Sequence, residues 1–363
     1  MSGKWYAGIL RMLTLPYTHN AVAQKLNKRA SITDLAKILN LSPSTISRAL
    51  NGHADISEAT KQRVWEVAKE LNYQPNHLAA ALRRGRSNML GVIVPHINGH
   101  FFPSIMHGIE TVASKAGFNV MICQSNEDVQ REKNNIDALL NAQVEGILVS
   151  LARTTHDFQH FEKVRQQNIP LVFFDRMPEV SSVSGVVLDD HQGAYMAVRH
   201  LLEQGCRRIA HFAGPQHLNI YSNRHKGYLN ALQAFGLPHD EQLMHFLPKL
   251  QQNAGEQAMR ELLQLAEPPD AIFGSGDIPV AGALEVLHAQ GIRVPQDIAL
   301  AGFSNEPFTT LTTPKLTSVD QRGEQMGHSA VQLFLQMLKR SDNFAPHRVV
   351  LKPQLHIRES SMR

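Results

Sequence analysis

The sequence is poor in cysteine and has no long apolar run, and both shortages narrow the class of protein. Its 363 residues include only two cysteines, Cys123 and Cys206, so we expect no disulfide framework and favour a reducing compartment. No stretch approaches the roughly 18 consecutive apolar residues of a transmembrane helix. The N-terminal segment WYAGILRMLTLPY is mildly apolar, but Arg11 interrupts it, which disfavours a signal peptide. We therefore expect a cytoplasmic protein that does not enter a membrane.

Motifs of nucleotide-binding and catalytic sites are also missing. Neither a GxxxxGK[ST] loop nor a GxGxxG motif occurs, and neither cysteine lies in a nucleophile motif. There are nineteen histidines, but pairs such as His96 with His100 and His211 with His217 complete no recognised set of metal ligands. We therefore expect no metal, no cofactor and no enzymatic activity.

The charge of the chain is distributed unevenly along its length. Residues 1–89 hold 13 Lys and Arg against 5 Asp and Glu, a balance of +8. Residues 90–363 hold 23 against 27, a balance of −4, which together gives the net charge of +4. A basic head on a mildly acidic body indicates a polyanionic partner for the head alone, although a solvated basic face gives the same count.

The segment 31–73 has the pattern of three short helices. Thr33 is a suitable N-cap for the first helix, and Asn40-Leu41-Ser42 suits a turn. Ser42 can cap the second helix with Pro43 in its first position, and Ser57 can cap the third. The stretch Ile32–Asn51 therefore predicts two helices joined by a tight turn, as in a helix-turn-helix.

The second of these helices has a polar side suited to reading DNA. Ile46, Ala49 and Leu50 fall on one face and can pack on a small core. The side chains predicted to face outward at its start, where base edges meet a recognition helix, are Ser44, Thr45 and Arg48. Those predicted to position the head on phosphates are Ser42, Ser47, Asn51 and Tyr73. An ordinary three-helix subdomain with a polar surface is the alternative.

A short helix is predicted just after this segment. Pro75 breaks the chain, Asn76 can cap a helix of about two turns, and Gly85 can end it. A helix of that length is unstable alone in water. The spacing leaves two interpretations open: a plain linker with one buried leucine, or, in a dimer, paired helices that insert Leu82 between base steps of a minor groove.

From Leu90 onward, apolar strand-like runs alternate with amphipathic helix patterns. The strand-like runs are LGVIVP, FNVMICQ, GILVSL, PLVFFD, GVVLDD, RIAHFAG, AIFGSG and IALAGFS. This alternation predicts α/β architecture with parallel sheets covered on both faces. About 270 residues exceed one doubly wound domain, so we expect two lobes with a ligand cleft beyond the carboxyl ends of the strands. The C-terminal VVLKPQLHIRESS predicts a strand on the second lobe.

Several motifs, in order along the chain, resemble the lactose-repressor (LacI/GalR) family. They are TDLAKILNLSPSTISRALNG, SEATKQRV, LNYQPN, LGVIVP, FFPSIMHGIE, VEGILVS, PLVFFDR, RRIAHFAGP, GSGDIPVAGAL and LTSVDQ. The resemblance covers nearly everything from Ser31 onward. It implies a hinge helix that folds on operator DNA with Leu82 as the minor-groove wedge. Ser31, Asn76 and Ala79, which is small enough for a helix to approach DNA closely, complete the expected DNA-binding set.

The resemblance also implies a body similar to periplasmic sugar-binding proteins, with an effector between two lobes. The positions expected to contact the effector are Phe101, Phe102, Asp175, Arg224, Asp277 and Ser304. Three departures put transfer of a known effector in doubt. GFSNEPF has Ser304 where many relatives have an acid, Gly276 replaces a polar residue, and the first strand ends in PHINGH. We expect these changes to remove charged acceptors from the cleft.

The expected organisation is a flexible extension (1–30), an all-α helix-turn-helix head (31–75), a hinge helix and linker (76–88), and a two-lobed α/β body (89–363). We expect a homodimeric, sequence-specific repressor of transcription. Its affinity for double-stranded operator DNA is expected to depend on a small carbohydrate effector. The alternative is the solute-binding protein of a sugar transporter, which explains the body but not the basic head. A sugar-processing enzyme would need a catalytic constellation, and we find none.

Overall fold

A computed structural model describes residues 30–73, 87–180, 182–339 and 345–363. They belong to two compact units, one within residues 1–86 and the other spanning 87–363. The predicted extension, apart from Ala30, lies outside the described residues. So do Asn76, Ala79 and Leu82 of the predicted hinge helix, which therefore stays a prediction.

The smaller unit contains the three predicted helices, which are α1 (Ile32–Leu39), α2 (Pro43–Leu50) and α3 (Glu58–Glu70). Ser42 and Ser57 cap α2 and α3, and Pro43 occupies the first position of α2, all as predicted. The predicted cap of α1 is wrong. Ser31 caps it rather than Thr33, because Ser31 and Asp34 form a reciprocal capping box that satisfies two backbone N–H groups.

The turn between α1 and α2 depends on one left-handed residue. Asn40 ends α1 with φ 51° and ψ 44°, a conformation that asparagine tolerates better than most residues. The chain then reverses, so that Leu35 of α1 and Ile46 of α2 are both fully buried with Val64 of α3. The predicted inward face of α2 is confirmed for Ile46 and Ala49, while Leu50 is half-buried at the edge of this core.

The larger unit has twelve strands, in two six-stranded sheets, among its described residues. The strands are β1 (Met89–Val94), β2 (Asn119–Gln124), β3 (Gly146–Val149), β4 (Leu171–Phe174), β5 (Ser184–Leu188), β6 (Ile209–Ala213), β7 (Met244–Phe246), β8 (Ala271–Gly274), β9 (Ala299–Ser304), β10 (Thr317–Asp320), β11 (Arg348–Leu351) and β12 (Gln354–His356). The helices are α4 (Phe101–Lys115), α5 (Val129–Asn141), α6 (Glu162–Gln166), α7 (Asp190–Glu203), α8 (Asn219–Ala234), α9 (Gln252–Leu262), α10 (Asp277–Ala289) and α11 (Gly323–Lys339). Short 3₁₀ turns occupy Gln159–Phe161, Glu241–Leu243, Pro307–Thr310 and Glu359–Ser361.

Each sheet forms the centre of one lobe. The first has the order β11-β5-β4-β3-β1-β2 and is parallel throughout. The second has the order β12-β10-β9-β8-β6-β7 and is parallel except for β12. Most central strands are buried at every position, as expected for sheets with helices on both faces.

The chain crosses between the lobes three times. It leaves the first lobe after β5 for α7, returns after β10 to α11, and crosses again between β11 and β12. Helix α11 packs against α4, and α7 packs against α8. The predicted C-terminal strand on the second lobe is therefore wrong in part, because β11 completes the first sheet before Pro353 and only β12 joins the second. The sequence predictions missed β7 and β10, which are only three and four residues long.

Candidate functional site

A cavity of about 210 Å³ lies between the two sheets of the larger unit. Residues from both lobes line it, including the ends of several strands and the first turns of α4 and α10. All six residues that were expected to contact an effector are among its lining residues: Phe101, Phe102, Asp175, Arg224, Asp277 and Ser304. The fold thus brings together side chains that are up to two hundred positions apart in the sequence.

Arg224, on α8, is held by the protein on several sides. Its Nε donates to Asp190 Oδ1 at 2.8 Å, Nη1 to the carbonyl of Ser275 at 2.8 Å, and Nη2 to Gln321 Oε1 at 2.7 Å. The guanidinium also lies over the ring of Phe303, 3.7 Å from its centroid. Burial raises the pKa of Asp190, and the charge of Arg224 opposes that rise. Arg224 is thus pre-oriented rather than free.

Asp277 is the first residue of α10 and lies at the floor of the cavity. Its Oδ1 accepts from Ser318 Oγ at 2.6 Å, and its Oδ2 accepts from the backbone N–H of Glu306 at 2.9 Å. A side chain at Gly302 would collide with this carboxylate, which explains a glycine in the middle of β9. Burial raises the pKa of Asp277 to about 6, against these two hydrogen bonds.

The edges of the cavity contain backbone in unusual conformations. Asp175 follows β4 with φ 59°, and Ser304 and Asn305 end β9 with φ 125° and 52°. Such positive values are uncommon for residues other than glycine and persist only where surrounding contacts hold them. Ser304 Oγ accepts from Gln321 Nε2 at 2.8 Å, and burial raises the pKa of Asp175. The fold therefore fixes the direction of both side chains into the cleft.

Glu306 is a cavity residue that the sequence did not point to. We expected GFSNEPF to leave the cleft without the acid that many relatives have after the glycine and aromatic residue. That expectation is wrong, because the 3₁₀ turn after β9 brings Glu306 to the cavity. Its carboxylate accepts from the backbone N–H of His100 at 3.1 Å and so contacts the first lobe. An acid is therefore present, displaced by two positions.

Three polar atoms on the cavity wall are buried without a hydrogen-bond partner among the described residues. They are Ser275 Oγ, His96 Nδ1 and Arg176 Nε. Arg176 is itself anchored, since its Nη1 donates to Glu127 Oε2 at 2.7 Å. Buried polar groups in native proteins are nearly always satisfied, so each unsatisfied one needs an explanation. Hydrogen bonds to a polar ligand in the cavity would satisfy all three.

The two lobes are in contact across the cleft. Asn219 of the second lobe accepts from the backbone of Met177 at 3.0 Å and donates to the carbonyl of Asp175 at 3.2 Å. Near the opening, Arg153 Nη1 donates to the carbonyl of Pro248 at 2.9 Å, and His217 Nε2 donates to the carbonyl of Arg153 at 2.6 Å. A ligand between the lobes would therefore contact both at once.

In the smaller unit, the polar start of α2 faces solvent. Ser42, Ser44 and Arg48 are exposed and Thr45 is half-buried. Ser42 Oγ lies 2.7 Å from Ser44 Oγ and 2.8 Å from Thr45 Oγ1, so the three hydroxyls form one cluster. Of the other expected DNA contacts, Ser31 and Asn51 are exposed, Tyr73 is half-buried and Ser47 is buried.

Asp55 is a second residue whose place in a site is not apparent from the sequence. Its carboxylate forms an ion pair with Arg48, and both side chains remain about half exposed. The loop from Asn51 to Ser57 places this acid beside the arginine expected to read a base. An acid there restricts the orientations of the guanidinium and lowers the net charge of the reading surface.

No group of three or more His, Cys, Asp or Glu side chains is arranged to hold a metal ion among the described residues. Nor does the described part of the chain contain a helix both long and apolar enough to cross a membrane.

Comparison with protein families gives one match for each unit. Residues 31–76 match the family described as bacterial regulatory proteins, lacI family, and residues 198–361 match the periplasmic binding protein-like domain. The ribose operon repressor of Halalkalibacterium halodurans is 30% identical over 333 residues, which cover 91% of this chain and 97% of the relative. The HTH-type transcriptional repressor CytR of Escherichia coli is 33% identical over 318 residues, 87% and 92% of the two chains.

Solved structures of other proteins align with most of the chain. The structure of the transcriptional regulator CelR in complex with cellobiose matches with a TM-score of 0.70 and 31% identity. The match covers 92% of this chain and 100% of the CelR chain. The lac repressor dimer bound to operator and the anti-inducer ONPF has a TM-score of 0.81 over 93% of this chain. At 23% identity, the second likeness shows the fold alone.

Proposed function

We propose that this chain, which belongs to the lacI family of bacterial regulatory proteins and is a DNA-binding transcriptional repressor, senses a sugar or sugar derivative in the cavity between its lobes. The observation that carries this proposal is the set of unsatisfied buried atoms, Ser275 Oγ, His96 Nδ1 and Arg176 Nε, around one cavity. Buried polar atoms of folded proteins are nearly always satisfied by protein, ordered water or a bound ligand, and a polar ligand in this cavity would supply hydrogen bonds to all three at once.

The composition of the cavity wall favours a polyhydroxylated ligand. A hydroxyl group both donates and accepts, so a sugar needs acceptors such as Asp175 and Glu306 and donors such as Arg176 on the same wall. Phe101 and Phe102, whose ring centroids lie 5.3 Å apart, supply an apolar surface for the C–H face of a sugar ring. The family relatives named for ribose and cellobiose agree with this class of ligand.

The position of the cleft between two lobes can also couple effector binding to DNA binding. A ligand held by Arg176 of the first lobe and Arg224 of the second stabilises one arrangement of the lobes over another. It changes operator affinity only to the extent that the two arrangements differ in affinity for the ligand and for DNA. We propose that the hinge around Leu82 transmits this difference, in a homodimer whose paired heads read the two half-sites of a near-palindromic operator in the cytoplasm.

A solute-binding protein of a sugar transporter is the second candidate. The cavity alone fits it equally well. The capped helices of the smaller unit, the exposed Arg48 and the basic charge of residues 1–89 favour the regulator.

The experiment is a thermal-shift screen of sugars and sugar acids on the full chain, followed by gel shifts on an operator selected from random DNA. A ligand that binds only the folded state raises its melting temperature. Ser275→Ala removes a hydroxyl that has no protein partner among the described residues, so it should leave the free energy of unfolding unchanged. It should lower the affinity for the sugar about five-fold. Ser114→Ala, at an exposed position of α4, is the matched control. The proposal fails if no sugar stabilises the protein, or if the sugar that does leaves operator binding unchanged.

A further inference from the structure

We propose that a second chamber, at the mouth of the cleft, binds an anionic group of the effector, such as a phosphate ester or a carboxylate. This inference rests on the proposed function. The chamber has a volume of about 330 Å³ and shares His96, Arg176, Tyr221 and Leu250 with the inner cavity. Because the two spaces share walls, one ligand can extend from the first into the second.

The two spaces have opposite charge. The inner cavity is lined by three carboxylates, Asp175, Asp277 and Glu306, against the guanidiniums of Arg176 and Arg224. The chamber is lined by three cations, those of Arg153, Arg176 and Lys249, against the single carboxylate of Glu127. Charges that face a partly enclosed space act more strongly than in open water. An anion is therefore disfavoured inside and favoured at the mouth.

Most of the positive charge in the chamber is not neutralised by the protein. Glu127 is committed to Arg176, with 2.7 Å between Oε2 and Nη1. Burial raises the pKa of Glu127, but the charge and hydrogen bond of Arg176 outweigh burial, so the pKa is lowered and the group stays ionised. Among the described residues, neither Arg153 nor Lys249 forms an ion pair with an acid.

Arg153 is also held in place for this role. Its backbone N–H donates to Glu127 Oε2 at 2.8 Å, and its Nη1 donates to the carbonyl of Pro248. Nε and Nη2 form no hydrogen bond with any described residue, and this pair of donors matches the two oxygens of a carboxylate or phosphate. Arg176 adds its buried Nε, which lies 3.9 Å from Asp175 Oδ2 and is unsatisfied.

The chamber lies where an anion would join the lobes. Arg153 belongs to the first lobe, and Lys249 follows Pro248 in the second. Without an anion their like charges face the same space, and their repulsion opposes the hydrogen bond that Arg153 Nη1 donates to the carbonyl of Pro248 across the mouth. An anion between them attracts both, so the anionic form of a sugar would stabilise the closed cleft more than the parent sugar does. The effector is then a sugar that carries a negative group at one end.

The test uses the full chain with matched probe pairs: ribose and ribose 5-phosphate, glucose and glucose 6-phosphate, and glucose and gluconate. Inorganic phosphate is an additional probe. Calorimetry at constant ionic strength measures affinity for the wild type, Lys249→Gln and the double variant Arg153→Gln/Lys249→Gln. Arg131→Gln and Lys315→Gln, at exposed positions of the two lobes, remove equal charge elsewhere and are the matched controls.

At least one anionic probe should bind ten-fold or more tightly than its parent sugar, and Lys249→Gln should remove most of that difference without weakening the parent. The difference should also shrink as salt concentration rises. The inference is overturned if no anionic probe exceeds its parent, or if the double variant keeps the full difference. If parent sugars then still bind and alter operator affinity, the proposed function stands alone. If no probe of either kind binds, both proposals fall.

Discussion

Arg224 and Asp190 form a buried ion pair beside the cavity, with Nη2 2.7 Å and Nε 2.8 Å from the same carboxylate oxygen. Both side chains are almost fully buried. The resemblance to the family implies that Arg224 contacts an effector, but it does not imply that the arginine has an internal acid as its partner. A change at Arg224 therefore alters the stability of the fold as well as any contact with a ligand.

The first prediction concerns this pair. Arg224→Ala leaves the Asp190 carboxylate buried without its counterion, so it should lower the free energy of unfolding by about 3–5 kcal/mol. The double variant Asp190→Ala/Arg224→Ala should lose clearly less than the sum of the two single changes. Urea unfolding of the full chain, followed by circular dichroism, measures each value. Additive losses would show that the two side chains do not stabilise each other.

The second prediction concerns pH and His211 in β6. This imidazole is fully buried, with Nδ1 3.0 Å from the carbonyl of Phe273, and it stacks on Tyr228. Burial lowers its pKa from 6.5 to about 3. Since the unfolded chain binds this proton first, stability falls as pH decreases from about 6.5 towards 3, by up to about 1.4 kcal/mol per pH unit.

His211→Asn should reduce the slope of the unfolding free energy against pH by an amount that corresponds to about one proton, because asparagine does not titrate. His288→Asn, at an exposed position in the last turn of α10, is the control and should leave the slope as in the wild type. Unfolding free energies at pH 7, 6 and 5 measure the slopes. Equal slopes for His211→Asn and the wild type would contradict the assignment.

The third prediction concerns Arg48. If Arg48 bonds a guanine edge, Arg48→Ala should reduce discrimination between the operator and a mismatched site by about 1–3 kcal/mol. Arg63→Ala, an exposed arginine on α3, removes the same charge and is the control. Gel shifts with the selected operator and with single-base variants at constant salt measure the ratio. Equal discrimination by Arg48→Ala and the wild type would remove Arg48 from base reading.

The fourth prediction concerns Leu82, whose place in a hinge helix follows from the sequence resemblance. Leu82→Ala should weaken specific binding more than binding to random DNA, because a wedge contributes only where the minor groove is opened. Leu71→Ala, at the exposed end of α3, is the matched leucine control. A parallel loss of both kinds of binding would indicate a plain linker instead.

Much of the fold follows from local patterns. The cap residues Ser42 and Ser57 and the buried apolar runs of the central strands depend on neighbours in the sequence, and they were predicted. The strands β7 and β10 were not, because β7 has only three residues and β10 has Val319 as its single apolar residue, so neither forms an apolar run like those of the other short strands. The cap at Ser31 was missed because Thr33 is an equally good candidate until the capping box with Asp34 is seen.

The residues of the cavity were likewise predicted only in part. The resemblance to a family predicted six lining residues, because each lies in or beside a motif that can be recognised in the sequence. It did not supply Asp190, Glu306, Arg153 or Lys249. These side chains reach the cleft only after separate segments have folded, and nothing in their local sequence marks them.

A basic head with capped helices, an α/β body and the family to which both belong follow from the residues alone. Those properties are set by residue type, short-range spacing and charge along the chain. The contacts between polar groups follow only from the folded chain: Arg224 pairs with Asp190, Arg48 pairs with Asp55, and Glu306 accepts from the backbone N–H of His100. Such contacts act over a few ångströms in space, so they depend on how the elements pack. A loop brings Asp55 to Arg48, two packed helices join Asp190 and Arg224, and the approach of the two lobes brings Glu306 to His100.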